Sequence, residues 1–404
     1  MAASGITSTD ASTSPRWFPS ALVRSSLEET RLAEGVPTSW GRLQGWEWGA
    51  ALEPSWWSSQ QEQRWGTWPD AVRTVTVLAQ TRHAVVVSLD DVWTAYLYPF
   101  TTGHDVSALV RHAPWAVSLA SAPVLLPVGG AFNKNGDTAV VFPHHRPESA
   151  YPEEGLSSFN HTTTLAIADS VGLLHAALVP HATPNAERRW NDRLKSMEDT
   201  LKTTTLWRAP HTRHVQGLPP VHLDLDTVVN EEGTVRWVPQ PRPLMDAVLA
   251  SGERCPGVAT MAALEQRLAL RGAFSGEEER RAFYGAWLAH VPEGWSSPST
   301  LSTVNGGIWI WRYETILLML AEARAYGLTQ QAKQCDAWLL HVSRLQARLG
   351  ELRTVLAVRK MALYAGVAVA FIGSGPFHLP AVAGCALTIG IAHAVYRRRL
   401  PSPY

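Results

Sequence analysis

VHLDLDTVVNEEGTVRW, residues 221–237, reads as a buried strand entering a short acidic loop, then a second strand after a turn at Glu231, Glu232 and Gly233. Three of its acidic groups sit beside apolar residues. A segment of this kind performs chemistry or descends from one that did, so its meaning depends on whether the partners for that chemistry occur elsewhere in the chain.

Outward from it, the chain divides by periodicity. Upstream, residues 156–178 have apolar side chains at helical spacing and close in LLHAALVPH, and 185–206 reads as a polar amphipathic helix. Downstream, helices are expected at 257–272, at 276–290 and in one long run from 308 through 326 to 349. Before the helical part, the period is that of strands: 72–78, 83–89 and 92–98 form an antiparallel meander, 104–112 a short helix, and 123–128 and 138–142 two more strands around the loop 132–137. The proline-rich PHHRPESAYPEEG, 143–155, reads as the connection between a small strand lobe at 71–143 and a helical lobe at 144–352. Residues 17–70 are rich in tryptophan, which suits core and seam packing better than a carbohydrate- or headgroup-binding surface. Residues 1–16, Ser/Thr/Ala-rich and without an apolar stretch, are expected to form a disordered tail rather than a secretory signal.

Composition sets outer limits. With 35 basic and 35 acidic residues the formal net charge is zero, which gives no electrostatic basis for a nucleic-acid partner. Apolar residues make up 46% of the chain, ample for a sizeable core. The three cysteines are widely separated, so no disulfide framework or zinc site is expected. Only five lysines occur, none before Lys134.

The end of the chain differs in kind. Residues 361–374 and 379–396 are apolar and uncharged, broken by Gly375-Pro376 and closed by Arg397-Arg398-Arg399. At 1.5 Å per residue the second run reaches roughly 27 Å and the first about 21 Å, against a hydrocarbon core of ~30 Å. A transmembrane helical hairpin over 353–404 is expected, contacting membrane through 361–396. Arg359-Lys360 and the arginine triplet emerge on one side, which places the amino-terminal bulk in the cytoplasm.

A strand lobe with an inserted helix, a linker, and a helical lobe bearing an acidic strand-loop-strand segment is similar to the two-lobed protein-kinase-like fold, an α+β architecture. More narrowly, the motifs resemble the aminoglycoside phosphotransferase and choline kinase group. GLLHAAL at 172–178 resembles that family's Leu-His helix end, and His222-Leu223-Asp224-Leu225-Asp226 resembles the first half of its His-Gly-Asp-Leu-His-x-x-Asn catalytic loop. The resemblance implies ATP and Mg²⁺ as cofactors of an active member and places Asp224 as catalytic base. It also exposes departures. The third strand, around Val92 to Leu97, lacks a lysine, and the first hairpin, around Leu78 to His83, lacks glycine. Thr227 falls where a metal-binding Asn is expected, and the run Trp237-Val238-Pro239-Gln240-Pro241 lacks the metal-binding Asp. Phosphoryl transfer depends on positioning and on charge neutralisation of the phosphates, so four such losses point to a vestigial base and no cofactor. Arg82 or Arg73 offers phosphate a fork that does not replace a lysine.

Asp224 and Asp226 form a D-x-D pair whose carboxylates, on alternate residues, can reach one cation; alternatively Asp224 bonds the local backbone and Asp226 is solvated. His144, His145, His175 and His181 read as satisfied or surface histidines rather than metal ligands. Three functions remain open: a membrane-anchored pseudokinase serving as binding module, an active small-molecule phosphotransferase with Asp226 or Glu231 holding metal, and a structural subunit of a membrane complex with a protein partner.

Overall fold

The computed structural model describes residues 15–23, 32–59, 63–148, 161–184, 187–203, 215–231 and 234–404. Most of the expected tail, part of the interlobe connection and the turn residues Glu232 and Gly233 lie outside them.

The amino-terminal region opens with a small hairpin, β1 (Val36–Thr38) and β2 (Gly41–Leu43), and a short helix α1 (Pro54–Ser58). Its last strand, β3 (Gln63–Gly66), joins a sheet with β4 (Val75–Gln80), β5 (Val85–Leu89), β6 (Trp93–Leu97), β7 (Gly129–Asn133) and β8 (Gly136–Pro143). The order is β3-β7-β8-β6-β5-β4, antiparallel throughout. The sheet therefore has six strands rather than the five expected, because the tryptophan-rich region supplies an edge. Its tryptophans fill space: Trp17, Trp46 and Trp57 are buried, Trp57 stacks on Trp68 at 5.0 Å, and the Trp46 indole N–H donates to the Tyr98 carbonyl.

Two short helices, α2 (Asp105–Arg111) and α3 (Ala113–Leu119), lie between β6 and β7, where one helix was expected. The strand expected at 123–128 is irregular chain that bridges to the helical lobe through Val124 and Trp237, and β7 follows it. Glycine explains the displacement. A Cβ on Gly129 would lie 2.0 Å from the Thr67 carbonyl oxygen, and one on Gly130 2.6 Å from that of Ala139. The backbones meet so closely there that the strand carries glycine instead of the β-branched residues by which strands are recognised.

The helical part comprises α4 (His161–Leu178), α5 (Glu187–Leu201), a hairpin of β9 (Val228–Glu231) and β10 (Thr234–Trp237), then α6 (Leu244–Leu249), α7 (Gly257–Leu270), α8 (Glu277–Leu288), α9 (Glu293–Ser296), α10 (Pro298–Leu301), α11 (Gly307–Ala325), α12 (Thr329–Ile372) and α13 (His378–Arg399). Residues 221–227 form irregular chain, not the buried strand expected; only His222 bridges, to Gln240. The long helix expected from 308 to 349 is broken at Gly327, whose φ of 70° ends α11 before α12 begins. Buried apolar side chains of α4, α5, α7, α8 and α11 build the helical core.

The lobes are stitched together by β10. The Leu125 N–H donates to the Trp237 carbonyl, the Trp237 N–H donates to Pro123, and the Trp237 indole donates to the Ser170 hydroxyl of α4. No boundary separates α12 from the apolar end: one helix runs 44 residues from its packing on α11 out to Ile372. Gly375-Pro376 falls in the turn to α13. Three helical segments of the described residues are long and apolar enough to cross a membrane by length and composition. The one starting at His161 is half buried within the protein, whereas the apolar windows of α12 and α13 are almost entirely exposed.

Gly129→Ala is expected to destabilise the fold by about 1–3 kcal/mol through backbone overpacking. Thermal unfolding checks this, and an unchanged midpoint contradicts the reading of β7.

Candidate functional site: an occupied interlobe cleft

The β4–β5 turn is built by Thr81, whose buried hydroxyl accepts the N–H groups of His83 and Ala84, while its own N–H donates to the Ala84 carbonyl. That bracing leaves Arg82 and His83 reaching toward the loop 224–226. Arg82 Nη2 lies 3.1 Å from Asp224 Oδ1, and Arg82 Nη1 lies 3.2 Å from Glu322 Oε2 on α11. Arg82 Nε is 3.7 Å from Asp226 Oδ2, and His83 Nε2 is 3.1 Å from Asp224 Oδ2. Arg267 of α7 grips Glu322 from the other side with two bonds, at 2.9 and 3.0 Å.

Asp224 is only 3% exposed. Burial by itself pushes its carboxyl up, but Arg82, the adjoining His83 ring and Arg267 overcome this and hold it well below the usual carboxylate range. Glu322 is likewise raised by burial and lowered below its ordinary value by Arg267 and Arg82. Asp224 Oδ1 also accepts the N–H of Asp226, closing a local turn, which is the backbone bond expected of this residue; its ion pair with Arg82 was not expected. Asp226 is half-buried and lines, with Arg16, Phe18, Arg267 and Tyr326, a cavity of about 360 Å³.

The remaining expected positions are filled by residues that serve packing. Thr227 is fully buried and its hydroxyl donates to the Asp224 carbonyl. Gln240 is buried with its amide donating to the Val238 carbonyl, and its Oε1 has no hydrogen-bond partner among the described residues. Where a lysine is expected on the third strand, β6 presents Thr94 and Tyr96. The Thr94 hydroxyl donates to the His145 carbonyl, and the Tyr96 hydroxyl is 3.1 Å from His145 Nε2. Tyr96, Tyr98, Val86, Phe142 and Val238 belong to an apolar core of their own on this side of the sheet. His145 is thus a satisfied interior histidine, its pKa lowered chiefly by burial.

These groups do not fit a divalent cation. Asp224 and Asp226 both face the fixed positive charge of Arg82, and among the described residues no cluster of three or more His, Cys, Asp or Glu is placed to hold a metal.

His175, at the end of α4, lies in the helical core and accepts the Trp287 indole N–H at Nδ1. Burial lowers its pKa to about 3. His181 is bonded to the Ser118 hydroxyl, and the Arg73 backbone N–H donates to the Asp90 carboxylate. Of the residues that make the site, Arg82 was singled out with Arg73 as a fork that could contact phosphate without replacing a lysine; here it meets carboxylates. His83, Arg267 and Glu322 were not foreseen; the one signal for Glu322 is a carboxylate within the otherwise apolar run ILLMLAEA of α11.

No family model and no curated protein matches the chain. The chain is similar in fold to sugar and antibiotic phosphotransferases. Solved structures to which it is similar include a glucosamine kinase in complex with glucosamine, ADP and inorganic phosphate, at 11% identity and TM-score 0.45, covering 75% of this chain and 84% of that one. The GDP and kanamycin complex of APH(2")-IIia matches at 11% identity and TM-score 0.41, covering 68% of this chain and 94% of the other. A macrolide 2'-phosphotransferase type I matches at 12% identity and TM-score 0.36, covering 66% and 91%.

A histidine neutral in the folded state but protonated when unfolded makes stability greatest above its unfolded pKa near 6.5, with loss as pH falls toward 3. Between pH 6.5 and about 4.5, before carboxylates titrate, stability should fall by up to about 1.4 kcal/mol per pH unit from this group. Denaturant titrations of wild type and His175→Gln across that range check it; equal slopes in both contradict it.

Proposed function

We propose that this chain is a membrane-anchored, catalytically silent phosphotransferase-like domain that acts as a binding or scaffold module. The observation that carries the reading is the position of Arg82. The hairpin that in the resembling family leaves room for nucleotide phosphates here sends an arginine into the cleft, where it is neutralised by Asp224, Asp226 and Glu322. The carboxylate that resembles the catalytic base is buried and ion-paired, and the third strand offers Tyr96 in an apolar setting in place of a cation. An incoming triphosphate and its metal would have to displace Arg82 from a buried carboxylate, which leaves an uncompensated buried charge.

Attachment to membrane is supported by the exposed apolar faces of α12 and α13, and a cytoplasmic side for the two-lobed domain is supported by the basic residues at their base. The domain's remaining service is recognition of a partner near that surface. A formal net charge of zero lends no electrostatic support to a nucleic-acid partner.

Calorimetry of the full chain with MgATP is expected to give no binding heat, and ATP turnover is expected to stay at the buffer rate. Metal-dependent ATP hydrolysis that Asp224→Ala abolishes would overturn the proposal.

A further inference from the structure

We propose that the α12–α13 hairpin is a one-sided wedge: it enters an anionic bilayer from the face where the two-lobed domain sits and turns within the hydrocarbon, without crossing. The inference rests on the membrane-anchored reading and concerns depth and topology.

The pairing of the limbs fixes the depth. Arg359 Nη1 lies 3.5 Å from His393 Nδ1, a Cβ on Gly366 would sit 3.1 Å from the Cys385 Cβ, and one on Gly373 would sit 2.6 Å from the His378 ring. The last turns of α13 therefore stand beside Arg359 and Lys360, at the charged base. Only Met361 to Ile372 on one limb, and the stretch of α13 facing them, form an uncharged pair. Those residues rise about 18 Å at 1.5 Å each, well short of the ~30 Å core.

The tip and the base agree with that depth. Phe371, Ile372, Phe377 and Leu379 surround the turn and are between 75% and 86% exposed, with no charged residue nearby. A hairpin that crossed would hold these side chains in water on the far side; one that stops short holds them in hydrocarbon. The turn leaves few backbone groups unsatisfied: Pro376 has no N–H, and the N–H groups of Gly373 and His378 donate to the Val369 and Gly375 carbonyls. At the base, residues 345–400 carry Arg348, Arg353, Arg359, Lys360 and Arg397 to Arg399 against a single acidic residue, Glu351. This collar is complementary to anionic headgroups and lies at one end of the hairpin only.

Both limbs are also tied to the helical lobe on that side. α12 is continuous with it, and beyond α13 the Ser402 carbonyl accepts the Thr303 hydroxyl while the Pro403 carbonyl accepts Arg312. The charged base is thereby held against the domain.

The test adds full-length Ser374→Cys and, separately, Phe377→Cys to preformed phosphatidylcholine and phosphatidylglycerol liposomes, with the wild-type chain as background for the native cysteines. A membrane-impermeant maleimide is supplied outside or encapsulated. The wedge predicts that the chain floats with liposomes, that tip labelling is lost with reagent on either side, and that it returns in detergent. Labelling by encapsulated reagent would show a crossing hairpin, and labelling of floated protein from outside would show an uninserted tip; either overturns the wedge and leaves the anchor standing. A chain that stays soluble, alone or as an oligomer, and does not float overturns the anchor reading and the wedge with it.

Discussion

Asp224 stays an anion in the interior because Arg82 reaches it. Removing a carboxylate from water costs several kcal/mol, and the cost is met only when a counter-charge and hydrogen bonds are supplied in fixed geometry. Here they come from a turn 142 residues earlier in the chain, from the adjoining His83 and from the Asp226 backbone. Arg82 is in turn shared with Glu322, which Arg267 clamps to α7. The strand lobe, the 224–226 loop, α7 and α11 thus meet at one guanidinium. The same contact joins the two lobes and holds the Asp224 carboxyl well below the usual carboxylate range.

Much of the architecture was legible because local patterns expressed it. Strand-period runs gave β4, β5, β6 and β8, helical spacing gave α4, α7, α8 and α11, and Gly375-Pro376 marked the turn between the apolar limbs. β7 was missed because close backbone contact selects glycine there, and the break at Gly327 was missed although that glycine, closely followed by the polar run TQQAKQ, marks it in sequence. Residues 221–227 looked like a strand through their apolar alternation, yet Asp224 and Thr227 bond their own neighbours' backbone and hold the chain in turns.

The site was half legible. Asp224 and the absent lysine, glycine and metal ligands are properties of single positions and can be read from residue type. The identity of what fills the gap is a property of pairs. Arg82 carries no local mark that distinguishes it from Arg73, and only the Thr81-braced turn aims one of them at the loop. His145 shows both sides of this: it reads from sequence as a satisfied or surface histidine, but its partners Thr94 and Tyr96 are visible only in space.

The central claim is that Arg82 and Asp224 are a coupled pair that seals the cleft. A double-mutant cycle of Arg82→Met, Asp224→Asn and the double variant, followed by denaturant unfolding at pH 7, measures that coupling apart from the rest of the fold. Loss of Arg82 alone is expected to cost about 3–5 kcal/mol by stranding a buried carboxylate. The double variant should recover part of that loss, with a coupling of about 1–3 kcal/mol. Additive effects of the two substitutions would contradict the account.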